Sequence, residues 1–106
     1  MRILFDQGTP VPLRRSLLDH VVETVYERGW STLQNGALLT AAEGEGFEVF
    51  ITTDQNLKYQ QQVRDRQLAI IVLSTTSWPR IRQQLEAIQA VVATTTAGSY
   101  HEITIP

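Results

Sequence analysis

Val49-Phe50-Ile51-Thr52-Thr53-Asp54 is an apolar, β-branched run that stops abruptly at a carboxylate. Runs of this length, bounded by polar and turn residues, read as buried strands. A second run, Ile3-Leu4-Phe5-Asp6, ends in the same way. In open α/β sheets the crevice beyond the strands' carboxyl ends is where ligands bind. Two carboxylates at two such ends point to a metal or phosphate site.

Outward from these runs the chain alternates strand and helix signals. Arg2 to Phe5 forms the first strand. Thr9 followed by Pro10 reads as an N-cap with proline at the first helical position, opening a helix through Leu13, Leu17 and Leu18. His20 to Val25 resembles a second strand, Gly29 to Gly36 a loop, and Ala37 to about Glu43 a short helix carrying Leu38, Leu39 and Ala42 inward. Gly44 and Gly46 then break it. Glu48 to Thr53 is the third strand, Gln55 to about Val63 a polar helix, and Leu68 to Ser74 a fourth strand as apolar as an interior parallel strand should be. Pro79 opens the longest helix, whose Ile81, Leu85, Ile88 and Val92 make one apolar stripe. The alternation from Tyr100 to Ile105 fits an edge strand.

Strands alternating with helices imply right-handed crossovers and a mainly parallel sheet of four to five strands with helices on both faces, an α/β/α sandwich of three layers. If the first and third strands are neighbours, as in the doubly wound order 2-1-3-4-5, Asp6 and Asp54 open onto one crevice at the sheet's switch point.

Composition bounds the remaining choices. The 106 residues suit a single domain, with 42% hydrophobic and 19% charged side chains. The absence of cysteine removes disulfides, thiolate ligands and a cysteine nucleophile, in keeping with a reducing cytoplasm. Asp6 comes too early for the apolar stretch of a signal peptide, and Leu68 to Leu73 is too short to span a bilayer, so no membrane association is expected. A net charge of −2 gives no bulk attraction to polyanions. Three arginine pairs, Arg14 and Arg15, Arg64 and Arg66, and Arg80 and Arg82, read first as solvated helix ends and second as phosphate contacts.

A hard cation such as Mg²⁺ takes oxygen ligands, commonly one or two carboxylates completed by water, and can activate a water against a phosphodiester. Taken singly, each aspartate has a structural explanation. Asp6 precedes the turn Gln7-Gly8, and Asp54 can cap the segment from Gln55. As a pair at neighbouring strand ends they read as functional. Lys58, the only lysine, follows Asp54 by one helical turn, within reach of a substrate phosphate or of that carboxylate.

At these residues the chain resembles a known family. Ile3-Leu4-Phe5-Asp6-Gln7-Gly8, Asn35-Gly36-Ala37-Leu38-Leu39, Thr52-Thr53-Asp54-Gln55-Asn56-Leu57 with Gln60-Gln61-Gln62, and Ile70-Ile71-Val72-Leu73-Ser74 are similar to the short stand-alone PIN-like proteins, relatives of VapC-type toxins. The resemblance spans residues 1–106 as one domain. It implies a three-layer sandwich whose acidic residues hold Mg²⁺ or Mn²⁺ for RNA cleavage, often beside a small antitoxin-like partner. By the same resemblance Asp6 and Asp54 are the catalytic metal ligands, and Gln7, Asn35, Thr53 and Asn56, with Lys58, line the substrate site. Ala37 departs from the pattern, standing where similar proteins tend to carry an acidic residue. Glu43 projects from a different side of that helix at ~100° per residue. Glu27 and Glu45 are the other carboxylates weighed in its place.

Three functions follow from this reading. The first is a metal-dependent ribonuclease, the second a degenerate member that binds a partner protein or RNA without turnover. The third is a receiver-like phosphorylation switch, which would need a hydroxyl after the fourth strand, here Ser74 or Thr75, and further acidic and lysine residues that the chain lacks. His20 and His101 read as structural, Trp30 and Trp78 as partly buried over the core, and Gln60 to Gln62 as a solvated face. A homodimer is expected only because dimers are the commonest assembly.

Overall fold

Parallel pairing organises the whole chain. In the computed structural model, β1 (Arg2–Phe5), β2 (Val21–Thr24), β3 (Val49–Thr52), β4 (Ala69–Leu73) and β5 (Tyr100–Ile103) form one sheet in the order β2-β1-β3-β4-β5. Each adjacent pair of strands is parallel. Residues 1–60, 63 and 65–106 are described. Gln61, Gln62 and Arg64, parts of the expected glutamine face and of one arginine pair, lie outside the described residues.

The apolar strands sort their side chains by the two-residue period of a pleated sheet. Ile3, Phe5, Val49, Ile51, Ala69, Ile71 and Leu73 face one core, and Leu4, Phe50, Ile70 and Val72 the other. α1 (Asn35–Gly44) buries Leu38, Leu39 and Ala42 in the second core. On the first face, α2 (Trp78–Ile81) and α3 (Leu85–Thr94) bury Ile81, Ile88 and Val92, with Leu85 packed alongside. The chain is therefore an α/β sandwich with elements on both faces of an all-parallel sheet.

The strands form where the apolar runs place them, but three helices differ from expectation. The segment after Thr9-Pro10 is a 3₁₀ helix over Val11–Ser16 with Pro10 as its N-cap, and Leu18 is 81% exposed. Thr9 does not cap it, because its hydroxyl donates to the Ile51 carbonyl at 2.9 Å and ties the loop to β3. From Gln55 to Gln60 the chain holds a 3₁₀ turn at Leu57–Tyr59, and Val63 is again 3₁₀. Leu57 is the one residue of that turn with an apolar anchor in the core, too little to offset the cost of nucleating a helix. The long C-terminal helix is interrupted by a 3₁₀ turn at Arg82–Gln84, whose side chains are all unburied. The apolar stripe nonetheless keeps its phase across the break.

The crossovers also depart from uniform right-handedness. The β1 to β2 connection steps toward one sheet edge and the β4 to β5 connection toward the other, yet Leu13 and Leu17 share a core with Ile81, Ile88 and Val92. Two parallel crossovers in opposite directions over the same face have opposite hands, so one of them is left-handed. The other two connections step toward the β5 edge over the opposite face and share the hand of the first, which makes the unit holding α2 and α3 the exception to the right-handed rule. The short 3₁₀ helix cannot cover the first face alone, and α3 packs beside it to complete that layer.

Candidate functional site

β1 and β3 are adjacent, with Phe5 opposite Ile51, so Asp6 leaves β1 level with the end of β3. The Asp6 amide donates to the Ile51 carbonyl at 2.9 Å, extending the ladder by one step. Beyond it the chain turns sharply. Thr9 donates its amide to the Asp6 carbonyl at 3.0 Å, and the Gln7 amide donates to Asp6 Oδ1 at 2.9 Å. The turn seats Gly8 directly on β3: a Cβ at Gly8 would lie 2.2 Å from Thr53 Oγ1.

Asp54 builds a matching turn. Its Oδ1 accepts the Asn56 amide at 3.0 Å, and its carbonyl accepts the Leu57 amide at 3.2 Å. A single buried hydroxyl joins the two turns. Thr52 Oγ1 donates to Asp6 Oδ2 at 2.7 Å and accepts the Asp54 amide at 3.1 Å. Thr52 is fully buried, and its two partners, Asp6 and Asp54, are half-buried.

The two carboxylates therefore emerge from neighbouring strand ends at the sheet's switch point, each oriented by its own turn. Each oxygen can accept more than one donor. Asp54 Oδ2 has no hydrogen bond among the described residues, which leaves oxygen ligands of the kind a hard divalent cation takes. The donor set fits such an ion only with water completing its coordination. Among the described residues no three His, Cys, Asp or Glu side chains gather at metal-binding spacing.

Glu27 is a third carboxylate that shares a cleft with Asp6, though not with Asp54. A cleft of about 460 Å³ is lined by Asp6, Gln7, Thr9, Val11, Thr24, Tyr26 and Glu27. Glu27 is committed elsewhere, since Arg14 donates to its carboxylate at 2.5 and 3.2 Å. Glu27 also exchanges bonds with Thr24, amide to carboxylate at 2.9 Å and amide to hydroxyl at 3.0 Å, in the reciprocal pattern of a capping box. The Arg14 guanidinium, and then the Thr24 amide, hold the Glu27 carboxyl below the usual range. The two other weighed replacements lie away from Asp6: Glu43 binds Arg66 at 2.6 Å and Glu45 binds Arg28 at 2.6 Å.

The remaining expected site residues are dispersed. Gln7 and Thr53 adjoin the aspartates, and Asn56 contributes its amide to the Asp54 turn. Asn35 opens α1 on a separate connection and makes no hydrogen bond to this group among the described residues. Lys58 pairs with Glu102 at 3.5 Å instead of with Asp54. On that side Tyr100 has a buried hydroxyl without a hydrogen-bond partner among the described residues. Burial raises its pKa, and the charges of Glu102 and Asp54 push it further the same way.

The arginine pairs mostly serve the fold. Arg14 goes to Glu27 and Arg66 to Glu43, while Arg80 donates to the Ile105 and Pro106 carbonyls at 2.8 and 3.0 Å. Ser74 Oγ accepts the Ile105 amide at 2.7 Å and Thr75 Oγ1 the Ser77 amide at 3.1 Å, so both hydroxyls of the receiver-like reading already serve the backbone. Reasoning from sequence passed over Thr52 and Tyr26. Only the Thr24-x-x-Glu27 spacing signalled the cleft's second wall.

Fold and site define a doubly wound α/β domain with two carboxylates at its switch point. Compared with known proteins, the chain matches no protein family, no curated protein and no solved structure. Among the described residues no helix is long and apolar enough to cross a membrane.

Proposed function

We propose that the chain is a PIN-like ribonuclease that hydrolyses RNA phosphodiesters with Mg²⁺ or Mn²⁺ held by Asp6 and Asp54. The observation that carries this reading is the Thr52 hydroxyl, which links the Asp6 carboxylate to the Asp54 backbone at adjacent strand ends. When bound, such an ion would supply a polarised water and charge to steady the leaving oxygen. The chain's own part is positional. Thr52 and the Gln7 amide fix the Asp6 carboxylate, and the Asn56 amide fixes that of Asp54. A small antitoxin-like protein and a second copy of the chain are the partners this reading proposes. Asp6→Asn and Asp54→Asn should each lower Mn²⁺-dependent cleavage of a labelled RNA on the order of 100-fold or more. Cleavage at the wild-type rate in both variants would discard the reading.

One observation favours a second function, a non-catalytic member that binds RNA or a protein. Glu27, the only further carboxylate lining the Asp6 cleft, is neutralised by Arg14. That leaves two acidic side chains where a two-metal centre would need more. This alternative expects saturable RNA or partner binding, no turnover in Mn²⁺, and no calorimetric signal for the ion.

A further inference from the structure

Two large aromatic side chains stand almost fully in solvent, and both flank the carboxylates. Tyr26 is 79% exposed and lines the cleft with Asp6, while Tyr59 is 77% exposed on the turn that follows Asp54. Their order across the sheet's carboxyl edge follows the strands. Tyr26 comes after β2, Asp6 after β1, Asp54 after β3, and Tyr59 on the way to β4. At ~4.8 Å between strands, the outer positions are on the order of 15 Å apart. Lys58 adds a cation beside the second ring, its Nζ 5.3 Å from the Tyr59 centroid.

We infer that Tyr26 and Tyr59 are base-stacking subsites for a single-stranded nucleic acid whose backbone crosses Asp6 and Asp54 between them. The inference rests on the ribonuclease reading for the identity of the polymer and extends it to the residues that grip the bases. The chemistry between the rings selects this occupant. A protein interface is built around an apolar, desolvated centre, whereas here the centre holds two carboxylates that would be costly to bury against an apolar partner. A polynucleotide has the complementary arrangement, with flat bases for the rings and a phosphate that shares a divalent cation with the carboxylates. Bases paired in a duplex offer no free face, so the site takes unpaired strands.

The test is fluorescence anisotropy of a labelled 12-nucleotide single-stranded RNA with the full chain in Ca²⁺, read separately from cleavage. Tyr26→Ala and Tyr59→Ala should each weaken binding about 5- to 150-fold, the range that loss of one stacked base gives. Tyr26→Trp and Tyr59→Trp should retain the affinity, and a duplex of the same sequence should bind at least about ten times more weakly. Both rings are exposed, so circular dichroism should be unchanged in all four variants. Alanine variants that bind within twofold of wild type overturn the inference and leave the rings to a protein partner, and so does a wild-type chain that binds no oligonucleotide. Stacking effects without any cleavage would sink the hydrolysis reading alone. Cleavage with idle tyrosines would sink only this inference.

Discussion

At the scale of single residues, a threonine ties the two aspartates of the site together. Thr52 satisfies one half-buried donor and one carboxylate oxygen at once, so Thr52→Val keeps the shape and removes both bonds. Leaving the Asp54 amide and Asp6 Oδ2 unmet should cost about 1–3 kcal/mol. Thr52→Ser keeps the hydroxyl and loses one buried methyl, for about 1 kcal/mol or less. Urea midpoints of the two variants separate these cases, and equal midpoints would show the bridge to be energetically idle. Gly8→Ala belongs to the same scale. Its methyl would fall on Thr53 Oγ1, so either the Thr53 side chain or the loop after Asp6 must shift. We expect destabilisation of about 1–3 kcal/mol, the cost of overpacking, with any cleavage activity lost alongside. Sequence made the aspartates legible because each ends an apolar run. Thr52 was invisible for a physical reason: a β-branched residue in a strand needs no function to explain it.

At the scale of elements, strands were more legible than helices. The three inner strands each carry a dense apolar run whose end sets their bounds, while the edge strand β5 shows only alternation. Where few apolar anchors exist, as after Asp54, or where two prolines fall close together at Pro10 and Pro12, the chain settles for 3₁₀ turns. The turn after β2 owes its closure to Thr24 and Glu27, and Arg14 joins it to the first 3₁₀ helix. Its pH dependence follows from the lowered Glu27 pKa. A carboxyl that ionises more readily when folded stabilises the fold fully above the unfolded value, near pH 4.3, and loses that contribution as pH falls through the folded value. The stability gap between wild type and Glu27→Gln should therefore be widest near neutrality and shrink as the pH falls below the unfolded value. The gap will be small, because the pair is partly exposed and screened by solvent. Urea unfolding of both chains between pH 7 and 3 checks the sign; a gap that widens in acid contradicts it.

At the scale of the whole molecule, the order 2-1-3-4-5 was legible from the alternation of elements, whereas the odd hand of the last crossover was not. Periodicity says which residues of α3 point inward but not which face of the sheet receives them. That choice depends on what else covers each face, and a short 3₁₀ helix between β1 and β2 leaves room only on one. The return of the chain as β5 then closes the structure. β5 pairs with Ile70 to Leu73 of β4, Ile105 enters the first core, and Arg80 and Ser74 hold the last residues through the Ile105 and Pro106 backbone. Ending the chain at Ser99 removes all of these at once. The five residues of β4, buried on both faces, would become an apolar sheet edge, which is the arrangement most prone to pairing with another chain. The truncated protein should sediment as aggregate and show no cooperative urea transition. A soluble monomer with a sigmoidal transition near the wild-type midpoint would mean that β1, β3 and β4 form a sufficient core without their last partner.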